Sequence, residues 1–292
     1  MKDNGSEYCP ACLAIGYLKY PEKIEDNLFN DLTFASRKRP ELMHYALFEC
    51  QSCKTLFTNR DVNLSELLKN YENAEYDSNI EAQFAARTYV KYLVKALPRF
   101  KGSVLDIGAG DGAFLSEARK VFATTNTGIE PSVKAIAKNN DVNVKIINLA
   151  IEDYKTDEKF DMVTCFQTIE HLNNPKQFIQ NMKTFIKPGG YIAISCHNRL
   201  SFVNRILGEK SPIFDVEHLQ IFTSQGIEKL FQNLDLEIVH SRKYRNQYPL
   251  SYWLKIAPIG EKIKDIIERN KKMFSKKISI NVGNHLIVGR VR

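Results

Sequence analysis

Beyond residue 102 the chain alternates short apolar runs with amphipathic stretches, and glycine, asparagine or charged turns close most of the runs. SVLDIGA (103–109), NTGIEP (126–131), VKIINLA (144–150), FDMVTCFQTI (160–169) and YIAISCHN (191–198) read as strands. Between them GAFLSEARKVFA, SVKAIAKNN and PKQFIQNMKTFI carry apolar residues at helical spacing, the second opening at Ser132. KPGG turns the chain into the fifth strand, SQGIEKLFQNL adds a helix, LEIVHSRKYR a sixth strand and NHLIVGRVR the last. This alternation predicts an α/β fold with a doubly wound, mostly parallel, seven-stranded sheet. The rhythm breaks at 246–279, where an amphipathic helical stretch separates the final two strands. Ahead of the sheet, SELLKNYENAEY and IEAQFAARTYVKYLVKALPRF predict helices. In the second, Phe84, Tyr89, Tyr92, Leu93 and Leu97 form one apolar face, closed by Pro98 and Lys101-Gly102.

The cysteines change the picture at the N-terminus. Cys9-x-x-Cys12 and Cys50-x-x-Cys53 are spaced like the two knuckles of a zinc ribbon, with strand-compatible segments such as YLKY and MHYALFEC between them. In a reducing compartment metal explains four such thiols better than disulfides, and four thiolates leave no open catalytic position. Structural zinc is therefore expected. Cys165 and Cys196 lie in apolar runs and are expected in the core. With 43% hydrophobic and 26% charged residues over 292 positions, the composition is that of a globular protein. The net charge of +7 permits an anionic partner without selecting one. MKDNGSEYCPAC lacks the apolar core of a secretory signal, and no run approaches a bilayer-spanning length. A cytoplasmic protein without a transmembrane segment is expected, divided into a zinc-ribbon module (1–64), a helical lid or linker (65–100) and an α/β domain (101–292).

The turn in VLDIGAGDGAFL satisfies the relaxed dinucleotide fingerprint through Gly108, Gly110 and Ala113, a weak signal alone. Taken with GIEP, FDMVTCFQTIEHLNNP, IKPGGYIAIS and EHLQIFT, the chain resembles the class I S-adenosylmethionine-dependent methyltransferases over roughly residues 70–292. The resemblance implies a Rossmann-like methyltransferase fold with S-adenosylmethionine lying across the carboxyl ends of the strands. It implies cofactor contacts from Asp106, Gly108, Gly110 and Asp111 at the first turn, and from Glu130 and Pro131 after the second strand. Asp106 would accept from the cofactor's ammonium or hold the loop, and Glu130 would accept both ribose hydroxyls. Ala150 and Ile151 would line the adenine, with Phe166 and Gln167 beside the methionine half. KNYENAEYDS resembles a segment that folds over the cofactor in methyltransferases carrying this zinc module. Tyr71 and Tyr76 are thus candidates for the cofactor side and catalytic side of the active-site roof, or else aromatics packing on the core.

A sulfonium already carries an activated leaving group, so catalysis needs alignment and, for a hydroxyl acceptor, a base. His218 in FDVEHLQIFT is the candidate base, with Glu217 as an orienting carboxylate; the alternative is a histidine that only fixes its loop. His171 in TIEHLNNP resembles part of a Glu-x-x-Glu-His cluster that holds a divalent ion in some relatives. Here Gln167 stands for the first glutamate, leaving Glu170 and His171, with His197 as a candidate third ligand. The alternative is a structural pair. The 246–279 insertion joins the single tryptophan to Tyr248, Tyr252, Leu254, Ile256, Ile263, Ile266 and Ile267 and ends in lysines. That composition suits peripheral membrane contact, but a plain lid or homodimer helix is the preferred reading. The expected acceptor is a small polar molecule, a hydroxyl of a sugar or nucleotide-linked sugar. RNA methylation through the ribbon is the second reading, with RKRP (37–40) the tight basic cluster. A cofactor-binding regulator without transfer activity is the third.

Overall fold

Apolar runs become strands where both of their faces can be covered. In the computed structural model, which describes residues 6–24, 42–59, 79–257, 259–270 and 272–292, that condition is met along the middle of the chain. The first strands, β1 (Ser6–Tyr8), β2 (Ile15–Tyr20), β3 (Leu47–Cys50) and β4 (Leu56–Phe57), form a small antiparallel sheet. Then β5 (Gly102–Ile107), β6 (Ala123–Ile129), β7 (Lys145–Ile147), β8 (Phe160–Phe166) and β9 (Ile186–His197) run parallel. After the short β10 (Gln220–Ile221), the strand β11 (Glu237–Lys243) joins the large sheet at its edge. The pair β12 (Asn246–Pro249) and β13 (Lys277–Ile280) stands apart, and β14 (Asn284–Arg290) inserts antiparallel between β9 and β11. The resulting seven-stranded order is β11-β14-β9-β8-β5-β6-β7.

Side chains alternate across this sheet with the strand period of two. Leu105, Ile107, Val163, Cys165, Ile192, Ile194 and Ile287 share one cluster with residues of the helices Pro175–Thr184 and Ser224–Gln232. Val104, Met162, Ala193, Leu286 and Val288 share the other with the helices Asn79–Ala96 and Ala113–Arg119. Each fully buried side chain such as Leu105 or Phe231 stabilises the fold by roughly 1.5–3 kcal/mol. Helix starts follow their capping residues. Asn174 accepts from the Gln177 amide ahead of Pro175, and Ser132 accepts from the Ala135 amide.

The elements match the expected Rossmann-like sheet, with differences that have local causes. KPGG is no turn: β9 runs through it, with Gly189 at φ 78 and a register shift against β8. A Cβ on Gly190 would meet Ile186 at 2.7 Å and the Asp161 carbonyl at 2.9 Å, so only glycine lets the bulged backbone pack there. The third strand is shorter than 144–150, because the Asn148 side chain leaves the ladder to donate to the Glu130 and Pro131 carbonyls. The helix after Ser132 stops at Ile136, where Asn139 and Asp141 begin to bind local backbone amides.

The expected helical insertion at 246–279 is instead the β12–β13 hairpin enclosing the helices Leu250–Ile256 and Glu261–Arg269. Its aromatics are core. Trp253 donates to the Ile278 carbonyl, and Tyr248 and Trp253 bury themselves with Ala85 of the preceding helix. They therefore form no membrane-facing stripe, although Ile263 and Ile266 stay exposed. On that preceding helix the most deeply buried stripe is Ala82, Ala85, Ala86, Val90 and Leu93, while Phe84, Tyr89 and Tyr92 pack at its margins. Among the described residues no helix is long and apolar enough to cross a membrane. Residues 65–78, with Tyr71 and Tyr76, and the RKRP cluster lie outside the described residues.

Candidate active site

The carboxyl ends of β5 and β6 meet the point where the strand order reverses, with β6 on one side of β5 and β8 on the other. In an open parallel sheet that crevice is where ligands bind. The loop leaving β5 holds Gly108 at φ 76 and Gly110 at φ 55, a left-handed conformation costly for other residues. A Cβ on Gly108 would lie 2.6 Å from the Thr168 hydroxyl. Asp111 accepts from the amide of Ala113, the first residue of the helix Ala113–Arg119, at 3.1 Å. Glu130 is fully buried; its Oε2 accepts from the Gly110 amide at 2.9 Å and its Oε1 from the Ser132 amide at 2.8 Å. An ionised carboxylate has about four acceptor sites, so these amides orient it without exhausting it. Asp106 is also buried and accepts from the Thr164 hydroxyl at 2.6 Å. Burial, opposed by that bond and reinforced by the Glu130 charge, pushes its carboxyl up to about 7.

The other expected cofactor residues are placed less uniformly. Pro131 and Ala150 are half-buried, whereas Ile151 is buried in the core cluster. Phe166 stacks on Tyr89, ring centroids 4.3 Å apart, and meets Phe114 edge-on at 4.7 Å. Gln167, at φ 55, donates through Nε2 to the Ser195 hydroxyl at 3.0 Å. Ser195 in turn bonds the buried Tyr244 hydroxyl at 2.7 Å.

Beside this crest stands a crown of histidines. The rings of His171 and His218 lie 4.9 Å apart, and those of His197 and His218 5.3 Å apart. His218 Nδ1 donates to the Ile213 carbonyl and His171 Nδ1 to the Glu217 carbonyl, both at 3.0 Å. A carbonyl only accepts, so Nδ1 carries the proton in each ring and Nε2 is the basic nitrogen. The Glu217 carboxylate, expected to orient His218, lies 3.7 Å from His171 Nδ1. His197 Nδ1 bonds Asn284 Oδ1 at 2.9 Å, and burial holds its ring below the usual histidine range.

The candidate divalent site at Glu170, His171 and His197 is not assembled. Glu170 is buried and accepts from the His197 backbone amide at 2.7 Å, and burial raises its carboxyl to about 7. Among the described residues only the four cysteines gather ligand atoms able to hold a metal. No local sequence pattern singles out Ser195, Tyr244 or Asn284, whose bonds are long-range. The one trace in the sequence is the alternation Ala193-Ser195-His197, which places polar residues on one face at the end of an apolar strand.

Residues 76–241, more than half of the chain, match the family model described as a methyltransferase domain. The chain belongs to that family. The chain carries a methyltransferase domain, in keeping with the crest at β5 and β6. A ubiquinone biosynthesis O-methyltransferase of Glaesserella parasuis is 37% identical over 112 residues, 34% of this chain and 47% of that protein. Its namesake from Coxiella burnetii is 28% identical over 182 residues, covering 56% of this chain and 77% of the relative. The chain spans about half the length of the first curated relatives it matches. Among solved structures, a Bacillus halodurans protein assigned as a methyltransferase aligns with TM-score 0.50 and 16% identity, over 68% of this chain and 96% of its own. That likeness bears on the fold alone. The expected sugar or RNA acceptor is overturned, because the relatives are named for O-methylation in ubiquinone biosynthesis.

The chain carries its cysteines in two matching knuckles. Leu13 and Lys54, each following the second cysteine of its pair, adopt φ 63 and 61. Cys9 and Cys53 sulfurs lie 3.6 Å apart, those of Cys12 and Cys50 3.4 Å, and all four fall within 4.8 Å of one another. None of the four is in a disulfide. The Cys9 thiol beside Cys53 draws the latter's pKa down to about 5, while burial pushes Cys12 up to about 11.

Proposed function

We propose that this methyltransferase transfers the methyl group of S-adenosylmethionine to a hydroxyl oxygen of a small molecule. When bound, the cofactor supplies a methyl group already activated by its sulfonium. The crest fits an adenosyl group: its glycines keep side chains away, and Glu130 offers a buried, oriented carboxylate to ribose hydroxyls. Asp106 offers negative charge to the cationic methionine half, whose surroundings would include Phe166 and Gln167. Gly108, Asp111, Pro131, Ala150 and Ile151 complete the proposed cofactor side.

The observation that carries the reading is the histidine crown at the crest, with His218 held in the tautomer that makes Nε2 basic. A hydroxyl nucleophile needs its proton removed as the carbon–oxygen bond forms, and His218 Nε2 is assigned that proton. The O-methyltransferase names of the relatives support an oxygen acceptor. His171, tethered to Glu217, lies next to His218 and is placed to tune its ring.

In the same reading the four cysteines hold a structural zinc. Zinc–sulfur bonds of about 2.3 Å make a tetrahedron with edges of about 3.8 Å, which the observed sulfur separations approach. Residues 1–64 then form the metal module, 65–100 the leader and 101–292 the transfer domain. The test is transfer of tritiated methyl to catechol, phenol, aniline and a thiol. Label on the catechol or phenol oxygen, lost in His218→Asn, is expected. Label confined to aniline or the thiol would overturn the oxygen acceptor.

A further inference from the structure

The candidate base sits on a segment that the large sheet does not hold alone. β10, two residues beyond His218, belongs to the small cysteine-bearing sheet, pairing Gln220 with Phe57 and Ile221 with Leu56. The Thr58 amide donates to the Leu219 carbonyl at 3.0 Å. Ile213 and Phe214, at the other end of the segment, pack with Leu47 and Leu56 of the same sheet. Thr223 Oγ1 donates to the Cys53 carbonyl at 2.6 Å while accepting from the Gly226 amide at 2.9 Å. A Cβ on Gly226 would lie 2.1 Å from the Thr55 hydroxyl, so the helix start rests directly on the second cysteine knuckle. Arg199, just past the end of β9, donates to the Lys54 carbonyl at 2.6 Å and to Glu49. The domain side adds its own anchors, Ser211 to Asn204 and Gln220 to the Leu172 carbonyl.

We infer that the four-cysteine module is a positioning element for methyl transfer, with Thr223 and the β4–β10 pairing holding residues 213–222 so that His218 meets the acceptor. The inference rests on the acceptor-side role proposed for that segment. Thr223 touches neither cofactor nor acceptor in this scheme; it acts through His218. The crest stands outside the linkage, since its loop amides bond to Ile129, Glu130 and Ala109. Loosening the module should therefore slow transfer and leave cofactor binding intact.

The variant Thr223→Val keeps the metal ligands and the branched shape but removes the hydroxyl, and Thr223→Ser restores it. On the full, metal-loaded chain, hydrogen exchange is read for residues 213–222 and 104–112. Binding of S-adenosylhomocysteine is measured by calorimetry and methyl transfer with catechol as probe acceptor. In Thr223→Val, exchange at 213–222 should rise by about tenfold, the scale of one lost buried hydrogen bond, with 104–112 unchanged. Catechol kcat should fall by a similar factor, affinity for S-adenosylhomocysteine should hold within about twofold, and Thr223→Ser should recover both. Unchanged exchange at 213–222, a rise shared equally by 104–112, or a loosened segment with unaltered kcat would overturn the inference. A wild-type rate in His218→Asn would instead fault the proposed base, because the exchange measurement reads the hold independently of that residue's chemistry.

Discussion

Gly108, Gly110 and Glu130, the residues proposed for the cofactor, build the crest from the ends of two neighbouring parallel strands. His171, His197 and His218, proposed for the acceptor side, build the crown from three separate segments, and side-chain hydrogen bonds reaching Asn284, Glu217 and Ile213 orient their rings. The crest works through backbone amides and a buried carboxylate, groups fixed by the fold itself. The crown would work through ring nitrogens whose direction depends on the Glu217 and Ile213 carbonyls and on the Asn284 side chain. A local site tolerates change elsewhere, whereas an assembled one depends on everything that holds its pieces.

That contrast can be sharpened by perturbing each side. The largest effect is expected at the crown, where His218→Asn keeps a polar side chain but removes the basic nitrogen. Catechol kcat should fall by about 10²–10⁴-fold, the usual contribution of a general base, and a loss under about tenfold would remove His218 from that role. Next comes His285, neighbour of Asn284 on β14. It is buried between Ser224 on Nδ1 and Ser241 on Nε2, and burial lowers its pKa to about 4. An unfolded histidine protonates near 6.5, so between about pH 6.5 and 4 the unfolded chain binds the extra proton. The stabilisation is complete above pH 6.5 and is lost as pH falls to 4, by roughly 3 kcal/mol. Asp106 and Glu170, both raised to about 7, act oppositely, since their contribution is present below about pH 4 and is lost as pH rises from there to 7. The His285 contribution is therefore read by urea unfolding as the difference in pH slope between wild type and His285→Gln. Equal slopes would show that His285 is already protonated in the fold.

The smallest effect is expected in the pH dependence of cofactor binding at the crest. Asp106 is largely protonated below pH 7, and a cationic ligand favours its charged form. Affinity for S-adenosylmethionine should rise with pH up to about 7, by at most about tenfold per unit, with proton release on binding visible by calorimetry in two buffers. A flat profile in wild type, matching that of Asp106→Asn, would take Asp106 out of cofactor recognition.

The two regions also differ in how far the amino-acid sequence reveals them. GAGDG and the acid of GIEP are readable because positive φ demands glycine and a strand end places Glu130, both short-range effects. The cysteine pairs are readable for the same reason, each knuckle closing over three residues. Ser195, Tyr244 and Asn284 are not, because Tyr244 lies 49 residues from Ser195 and Asn284 lies 87 from His197. The Thr223–Cys53 bond spans 170 residues, and no local pattern announces it. The insertion misled for another reason: Tyr248 and Trp253 have the composition of an interfacial stripe, yet the hairpin turns them onto the helix Asn79–Ala96.

The central claim is that the crest alone holds the adenosyl group and the crown alone handles the acceptor. Calorimetric titration of S-adenosylhomocysteine into Glu130→Ala and His218→Asn, side by side with wild type, tests it most directly. Binding should weaken by roughly 10²-fold or more in Glu130→Ala, through loss of charged hydrogen bonds, and stay within about twofold of wild type in His218→Asn. Wild-type affinity in Glu130→Ala, or a comparable loss in His218→Asn, would contradict it.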